Sequence, residues 1–364
     1  MEFGIFIAAH NLGHDRSEAQ LYEDITEQAV LAEELGYDMV WLTEHHFNDY
    51  NLLPDPLQMA VRIFERTERI RVGVAVVILR DHHPLQLAGR VAQLDVLYPG
   101  RFEMAVGRGS SGYEAQRFER IMDTPSSRAH FFEHLEVMTQ AWHSDSDFTH
   151  EGSFWKFPGT TVLPRPISRP EPALWLSAVT PDSIYTQVHS CQKLGVGTNV
   201  ITSPFRNSFE FLREGYREFE RALQECAVSR ADARFAVNRT VFIGETDEEV
   251  DAAVTDVLRI HRGLYAQLEG NEVYLNGKTQ IKPVAHEVGV EEVLSNVPFG
   301  LPDRVQEQIA EYQELGVDHL SLYFDYLSGH ERVMRAMRLF AREVMPHFHG
   351  PQRHQAGSPA AEPA

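Results

Sequence analysis

Strand-like and helix-like segments alternate along almost the whole chain. Nearly continuous hydrophobic strands are typical of parallel sheets, and amphipathic helices connect such strands. Eight strand-like runs occur, at residues 3–8, 38–43, 70–79, 101–106, 173–178, 196–201, 235–244 and 318–324. Eight such units favour a closed (β/α)₈ TIM barrel over a doubly wound open sheet. The sequence therefore predicts a single α/β barrel domain over residues 1–349.

Two stretches interrupt the alternation and are predicted to be insertions. Residues 144–170 combine prolines, aromatics and mixed charge, and residues 264–300 are too long for an ordinary connection. We expect the second stretch to be a lid or a disordered loop. Residues 350–364 are polar and rich in alanine and proline, which predicts a disordered C-terminal tail.

Charge and cysteine content limit the partners and the compartment. The formal net charge of −20 argues against nucleic acid and anionic membranes as partners. The sequence has no apolar run of about 18 residues and no basic segment typical of a signal peptide. Its two cysteines provide no disulfide framework. We expect a cytoplasmic protein that acts on a small molecule.

Glu44, His45 and His46 follow the second predicted strand and are the first candidates for chemistry. Ligands bind at the carboxyl ends of barrel strands, and imidazole transfers protons near neutral pH. The alternative is a pair of surface or structural histidines. His82 and His83 follow the third strand, but without a set of acidic or cysteine ligands we expect no metal site.

Two further strand ends are candidate sites for a phosphate. Arg108 lies between two glycines after the fourth strand, where the backbone can approach a ligand closely. After the fifth strand, Thr180 and Pro181 form a typical helix start, whose free N–H groups favour an anion. The alternatives are an exposed arginine in a glycine loop and ordinary helix capping. Asp182 weakens the phosphate interpretation unless its carboxylate points away.

Several ordered motifs together resemble the luciferase-like, flavin-dependent monooxygenases, in a pattern similar to the luciferase α subunit. They are Trp-Leu-Thr-Glu-His-His-Phe at 41–47, Leu-Leu at 52–53 with Pro56, Val-Gly at 72–73, His-Pro at 83–84, Gly-Arg-Phe at 100–102, Arg-Gly at 108–109, Gly300 with Pro302, and Met-Pro at 345–346. The resemblance implies a TIM barrel that takes reduced FMN from a separate flavin reductase. The flavin reacts with dioxygen to give a peroxide, which oxidises an aldehyde, alkane, ketone or secondary-metabolite intermediate. The reductase would bind transiently, and the enzyme would form a homodimer or a heterodimer with a related subunit.

The resemblance also implies roles for individual residues. His45 matches the catalytic histidine. From the residues themselves, we expect Glu44 to fix its tautomer or position, and His46 to point elsewhere, as neighbours on an extended segment do. The cofactor-binding residues would be Ala75 and Val76 at a cis peptide against the ring, Gly107 where luciferase α has a cysteine, Arg108 near the phosphate, and Val179, Thr180 and Ser183 in the phosphate-binding turn. The substrate would contact His10 and Tyr113.

Two other functions stay open at this point. One is a deazaflavin-dependent oxidoreductase built on the same barrel. The other is a flavin-binding subunit without activity of its own, although the presence of both His45 and Arg108 weighs against it. Neither the identity of the substrate nor light emission follows from the sequence.

Overall fold

Eight parallel strands close into a barrel. The computed structural model describes residues 1–12, 16–204, 208–268, 273–282, 289–325 and 329–348. Each barrel strand pairs with the next in chain order, and the last pairs with the first. The predicted (β/α)₈ barrel is therefore confirmed. The strands are β1 (Glu2–Ile7), β2 (Met39–Leu42), β3 (Arg71–Ile78), β4 (Phe102–Gly107), β5 (Ala173–Ser177), β6 (Thr198–Thr202), β7 (Ala233–Thr240) and β8 (His319–Tyr323).

Helices surround the barrel and end where the sequence provides end signals. Gly36, Gly195 and Gly316 follow three of them with φ of 84°, 68° and 96°, the left-handed conformation that glycine adopts readily. No helix among the described residues combines the length and the apolar character needed to cross a membrane. The helices are α1 (Glu18–Leu35), α2 (Pro56–Phe64), α3 (Pro84–Leu97), α4 (Gly112–Arg117), α5 (Thr124–His143), α6 (Pro181–Leu194), α7 (Phe209–Glu225), α8 (Asp247–Leu268), α9 (Val290–Asn296), α10 (Pro302–Leu315) and α11 (His330–Glu343).

The prediction of one strand over 235–244 is wrong. The barrel strand β7 ends at Thr240, and Phe242–Ile243 pairs instead with Phe299–Gly300 in a separate two-stranded sheet. The chain leaves the barrel at Val241, whose N–H donates to the carbonyl of Tyr323. A continuous apolar run does not reveal which of its residues pair inside the barrel and which pair outside it.

The two predicted insertions contain regular structure. Residues 144–170 include a hairpin of Phe148–Glu151 and Lys156–Thr160. Within the described part of 264–300, α8 continues to Leu268, a hairpin of Tyr274–Leu275 and Lys278–Thr279 follows, and α9 comes next. The predicted tail at 350–364 lies outside the described residues.

A partly buried network of charges closes the floor of the barrel. Arg71 contacts the carboxylates of Glu2 and Glu103, and Arg234 contacts the same two carboxylates at 2.7 and 3.5 Å. The indole N–H of Trp175 donates to Glu103 at 2.6 Å. Burial opposes ionisation of Glu103, but Arg71 and Arg234 hold its pKa below the ordinary value. The floor groups satisfy one another, so the opposite end of the barrel is the place for a ligand.

Candidate active site

Four of the segments singled out in the sequence follow four consecutive barrel strands. The histidine motif follows β2, His82 follows β3, Arg108 follows β4 and the Thr180 turn follows β5. These four strands are hydrogen-bonded neighbours and run parallel. Their carboxyl ends therefore meet at one edge, which we call the mouth.

Ala75, Val76 and Gly107 form one wall of the mouth. The Ala75–Val76 peptide bond is cis, as the resemblance implied. Val76 is the extra residue in the pairing of β3 with β4, because Ala75 pairs with Ala105 while Val77 pairs with Val106. A Cβ at Gly107 would lie 2.7 Å from Cγ2 of Val76. Because Gly107 has no side chain, the side chain of Val76 can pack against it.

His45 is held by Glu114 rather than by the expected Glu44. Its Nδ1 lies 2.9 Å from Oε1 of Glu114, and the same oxygen accepts the backbone N–H of His46 at 2.9 Å. The Glu114 side chain is fully buried, whereas that of His45 is 21% exposed. Burial opposes ionisation of the Glu114 carboxyl group, but the hydrogen bond from His45 keeps the pKa of Glu114 below its ordinary value. An ionised Glu114 makes Nδ1 the protonated ring nitrogen of His45.

Glu44 binds two other histidines. Its Oε1 lies 3.0 Å from Nε2 of His46 and 2.7 Å from Nε2 of His82, and its Oε2 accepts the backbone N–H of Ile78. Burial resists ionisation, but these bonds lower the pKa of Glu44 to about 2. His46 thus points away from His45, as expected, and packs edge-to-face on Phe118. The bond to Glu44 outweighs burial and raises the pKa of His46.

Arg108 and the Thr180 turn lie at the rim of the mouth. Desolvation and, after it, the charge of Arg128 lower the pKa of Arg108, so two guanidinium groups share this rim. Thr180 caps α6 in a reciprocal capping box with Ser183, and Pro181 begins the helix as predicted. Thr180 is exposed and Ser183 half-buried, and Val179 is 42% exposed beside them. These guanidinium and hydroxyl groups are the candidates for holding an anion at the ends of β4 and β5.

His10 and Tyr113, the predicted substrate contacts, lie in different surroundings. His10 is buried, and its two ring nitrogens contact the carbonyl of Tyr50 and the hydroxyl of Tyr323. It therefore joins the loop after β2 to the end of β8. Tyr113 is half-buried and packs on Tyr274, with ring centroids 4.2 Å apart.

The hairpin of residues 274–279, which we call the roof hairpin, is fastened to the loop that follows His46. The backbone N–H of Asp49 donates to the carbonyl of Gly277 at 2.9 Å, and the N–H of Thr279 donates to a carboxylate oxygen of Asp49 at 2.7 Å. Asn276 and Gly277 both have positive φ, 52° and 75°. Asn-Gly is the strongest short signal for a hairpin turn, so the sequence contained this element although our prediction missed it.

Glu114 is the main functional residue that sequence reasoning missed. Ser111 and Glu114 have the spacing of a capping box, and the hydroxyl of Ser111 does accept the N–H of Glu114 at 3.2 Å. That spacing predicts the start of α4. It does not predict that the carboxylate crosses to His45, because that contact joins residues 69 positions apart.

Known proteins resemble this chain over nearly its whole length. The model of the luciferase-like monooxygenase family matches residues 1–319. The oxygenase component of a flavin-dependent trigonelline monooxygenase from Acinetobacter baylyi is 26% identical over 362 residues, which cover 96% of each chain.

Solved structures with the same fold cover nearly the whole chain. The monooxygenase RslO1 from Streptomyces bottropensis is 26% identical with a TM-score of 0.81, over 96% of this chain and 100% of that one. The oxygenating constituent of 3,6-diketocamphane monooxygenase from Pseudomonas putida, in complex with FMN, is 21% identical with a TM-score of 0.76, over 96% and 100%. An F420-dependent secondary alcohol dehydrogenase is 20% identical with a TM-score of 0.76, over 94% and 98%. The last two share the fold, and the fold alone does not select between a flavin and a deazaflavin.

Proposed function

The chain belongs to the luciferase-like monooxygenase family, and we propose that it is the oxygenase component of a two-component system. A separate flavin reductase would supply reduced FMN, and the chain would use dioxygen to oxidise a small organic substrate. The trigonelline monooxygenase component, similar over 96% of both chains, supports the two-component arrangement.

The proposal rests on three features that lie at the mouth of the barrel. A histidine held by a buried carboxylate follows β2. The cis peptide and Gly107 form a wall with little side-chain bulk on β3 and β4. Arg108 and the Thr180 turn provide an anion site on β4 and β5. A flat ring with a single phosphate group fits these three features together, so the residues present fit FMN.

Within this proposal the residues of the chain have distinct tasks. Reduced FMN, when bound, would supply the electrons that activate dioxygen. Arg108 and the hydroxyl groups of Thr180 and Ser183 would hold its phosphate. Glu114 holds Nδ1 of His45, so Nε2 would be the atom that accepts or releases a proton during oxidation. The roof hairpin would help to exclude water from the mouth.

Binding of the reduced cofactors to the full chain, measured anaerobically by calorimetry, tests the choice of cofactor. We expect reduced FMN to bind more tightly than reduced FAD, because no dinucleotide motif follows a strand to hold an adenine half. Oxygen uptake with reduced FMN would then be followed across a panel of aldehydes, ketones, alkanes and N-heterocycles.

Each alternative function predicts a different outcome. Tight binding of reduced F420, with hydride transfer that needs no oxygen, would replace the proposal with the deazaflavin oxidoreductase. FMN binding without oxygen-dependent oxidation, in the presence of a reductase and the whole panel, would favour the non-catalytic subunit.

A further inference from the structure

A third carboxylate, Asp81, is buried next to His82, whose ring contacts Glu44 at 2.7 Å. Asp81 ends the 3₁₀ turn Leu79–Asp81 that follows β3, and its side chain is 1% exposed. Its Oδ1 lies 3.4 Å from Nε of Arg80. Its Oδ2 is buried without a hydrogen-bond partner among the described residues. A buried carboxylate oxygen that lacks a donor is destabilising when it is charged and acceptable when it carries a proton.

Charged groups of both signs face Asp81 from three elements. Arg80 lies on its own turn, Glu44 and His46 follow β2, and Glu114 lies on α4. Glu44 and Glu114 are ionised, since hydrogen bonds to histidines hold the pKa of each below its ordinary value. Burial, followed by the charges of Glu44 and Glu114, raises the pKa of Asp81 to about 6, although Arg80 and His46 oppose the shift.

We propose that Asp81 is a positioning residue that holds the exchangeable proton of the carboxylate–histidine network at the mouth. This inference rests on the proposed function, because the network acts through His45. When Asp81 releases its proton to solvent, a third negative charge appears next to Glu44 and Glu114. The imidazole of His46 then holds its own proton more firmly.

The pKa of His46 is a direct measure of the charge on Asp81. The bond and charge of Glu44, together with the charges of Glu114 and Asp81, raise the pKa of His46 against the effect of burial. Removing the charge of Asp81 should therefore release the proton of His46 at lower pH. The same charge acts on the surroundings of His45, because Glu114 bonds both His45 and the backbone of His46.

Nuclear magnetic resonance of the full chain without cofactor tests the proton assignment. We expect one aspartate carboxyl to titrate near pH 6 in the parent chain and to be missing in Asp81→Asn. The titration midpoint of His46 should fall by about half a pH unit or more, the scale of one nearby charge in a partly buried site. Asp145→Asn is the matched control, because the Asp145 side chain is fully exposed and contacts Arg165 at 3.4 Å. It should leave both titrations unchanged.

The pH profile of turnover tests the role of the proton. We expect an inflection near pH 6 that Asp81→Asn removes and the conservative Asp81→Glu restores. If every aspartate titrates below about pH 5, or if the carboxyl near pH 6 persists in Asp81→Asn, the inference is overturned. Absence of oxygen-dependent turnover with an intact Asp81 titration would refute the proposed function and still support the proton assignment.

Discussion

The contact between Gly107 and Val76 makes a sharp prediction about the wall of the mouth. We expect Gly107→Ala to destabilise the fold, because the new methyl group would lie 2.7 Å from Cγ2 and 3.3 Å from Cβ of Val76. The obstacle is a branched side chain on the neighbouring strand. Val76 sits at the irregular pairing between β3 and β4, and its Cβ is fixed by the backbone, so rotation of the side chain cannot move that atom away.

The size of the effect follows from overpacking. Inserting one methyl group into a well-packed site costs about 1–3 kcal/mol in the free energy of unfolding. Val76→Ala should cost less, up to about 1.5 kcal/mol, because Val76 is only half-buried. The double variant Gly107→Ala with Val76→Ala removes the clash with Cγ2. It should therefore be more stable than the sum of the single effects predicts, by about 1 kcal/mol or more.

Urea denaturation of the four proteins measures this coupling. Gly89→Ala is the control. Gly89 lies inside helix α3, and a Cβ there would be 3.5 Å from its nearest atom, Cγ1 of Val162, which is an ordinary van der Waals distance. That substitution should raise the free energy of unfolding by about 0.5–1 kcal/mol, the helix preference of alanine over glycine. A neutral Gly107→Ala, or effects of Gly107→Ala and Val76→Ala that simply add, would refute the steric argument.

The other predictions concern the site itself. His45→Ala should lower turnover about 10²–10⁴-fold with the fold and flavin binding retained, as expected for a lost acid–base group, and a larger loss in His46→Ala than in His45→Ala would show that the histidines are assigned wrongly. Glu114→Gln should lower turnover about tenfold, because a neutral acceptor replaces a charge-assisted bond; unchanged kinetics would remove Glu114 from the mechanism. Arg108→Ala should weaken binding of reduced FMN by about 1.5–3 kcal/mol in calorimetry, and an unchanged dissociation constant would place the phosphate elsewhere. Asp81→Asn should raise the free energy of unfolding by up to roughly 3 kcal/mol above about pH 6, because the raised pKa makes the ionised Asp81 destabilising there. The gain should vanish below about pH 4, where residue 81 is uncharged in both the parent and the variant. A gain that does not depend on pH would show that it does not come from the charge of Asp81.

The sequence predicted the barrel because its strands are buried on both faces and so appear as short hydrophobic runs. The bounds of β2 and β5 lie within one residue of the predicted bounds at each end. The exception at 235–244 arises because Phe242 and Phe299 form a second sheet from residues more than fifty positions apart. Hydrophobic periodicity is local and carries no information about such a partner.

The site was predicted less completely, for the same physical reason. His45, Arg108 and the Thr180 turn follow strands that a parallel barrel must bring together, so their common edge was predictable. The partner of His45 was not predictable, because Glu44 is its neighbour in sequence while Glu114 reaches it from helix α4. On an extended segment, neighbouring side chains point to opposite sides, which turns Glu44 toward His46 and His82.

The anchoring of the roof hairpin limits how this enzyme can be rebuilt. Asp49 makes both of the hydrogen bonds described between the loop and the hairpin, and it lies three residues after His46. A roof hairpin taken from a relative would therefore lack matching hydrogen-bond partners unless the loop at 48–51 were exchanged with it. Chimeras that exchange the two segments together should keep the histidine motif in place. Chimeras that exchange only the hairpin would disturb the loop next to the histidine motif.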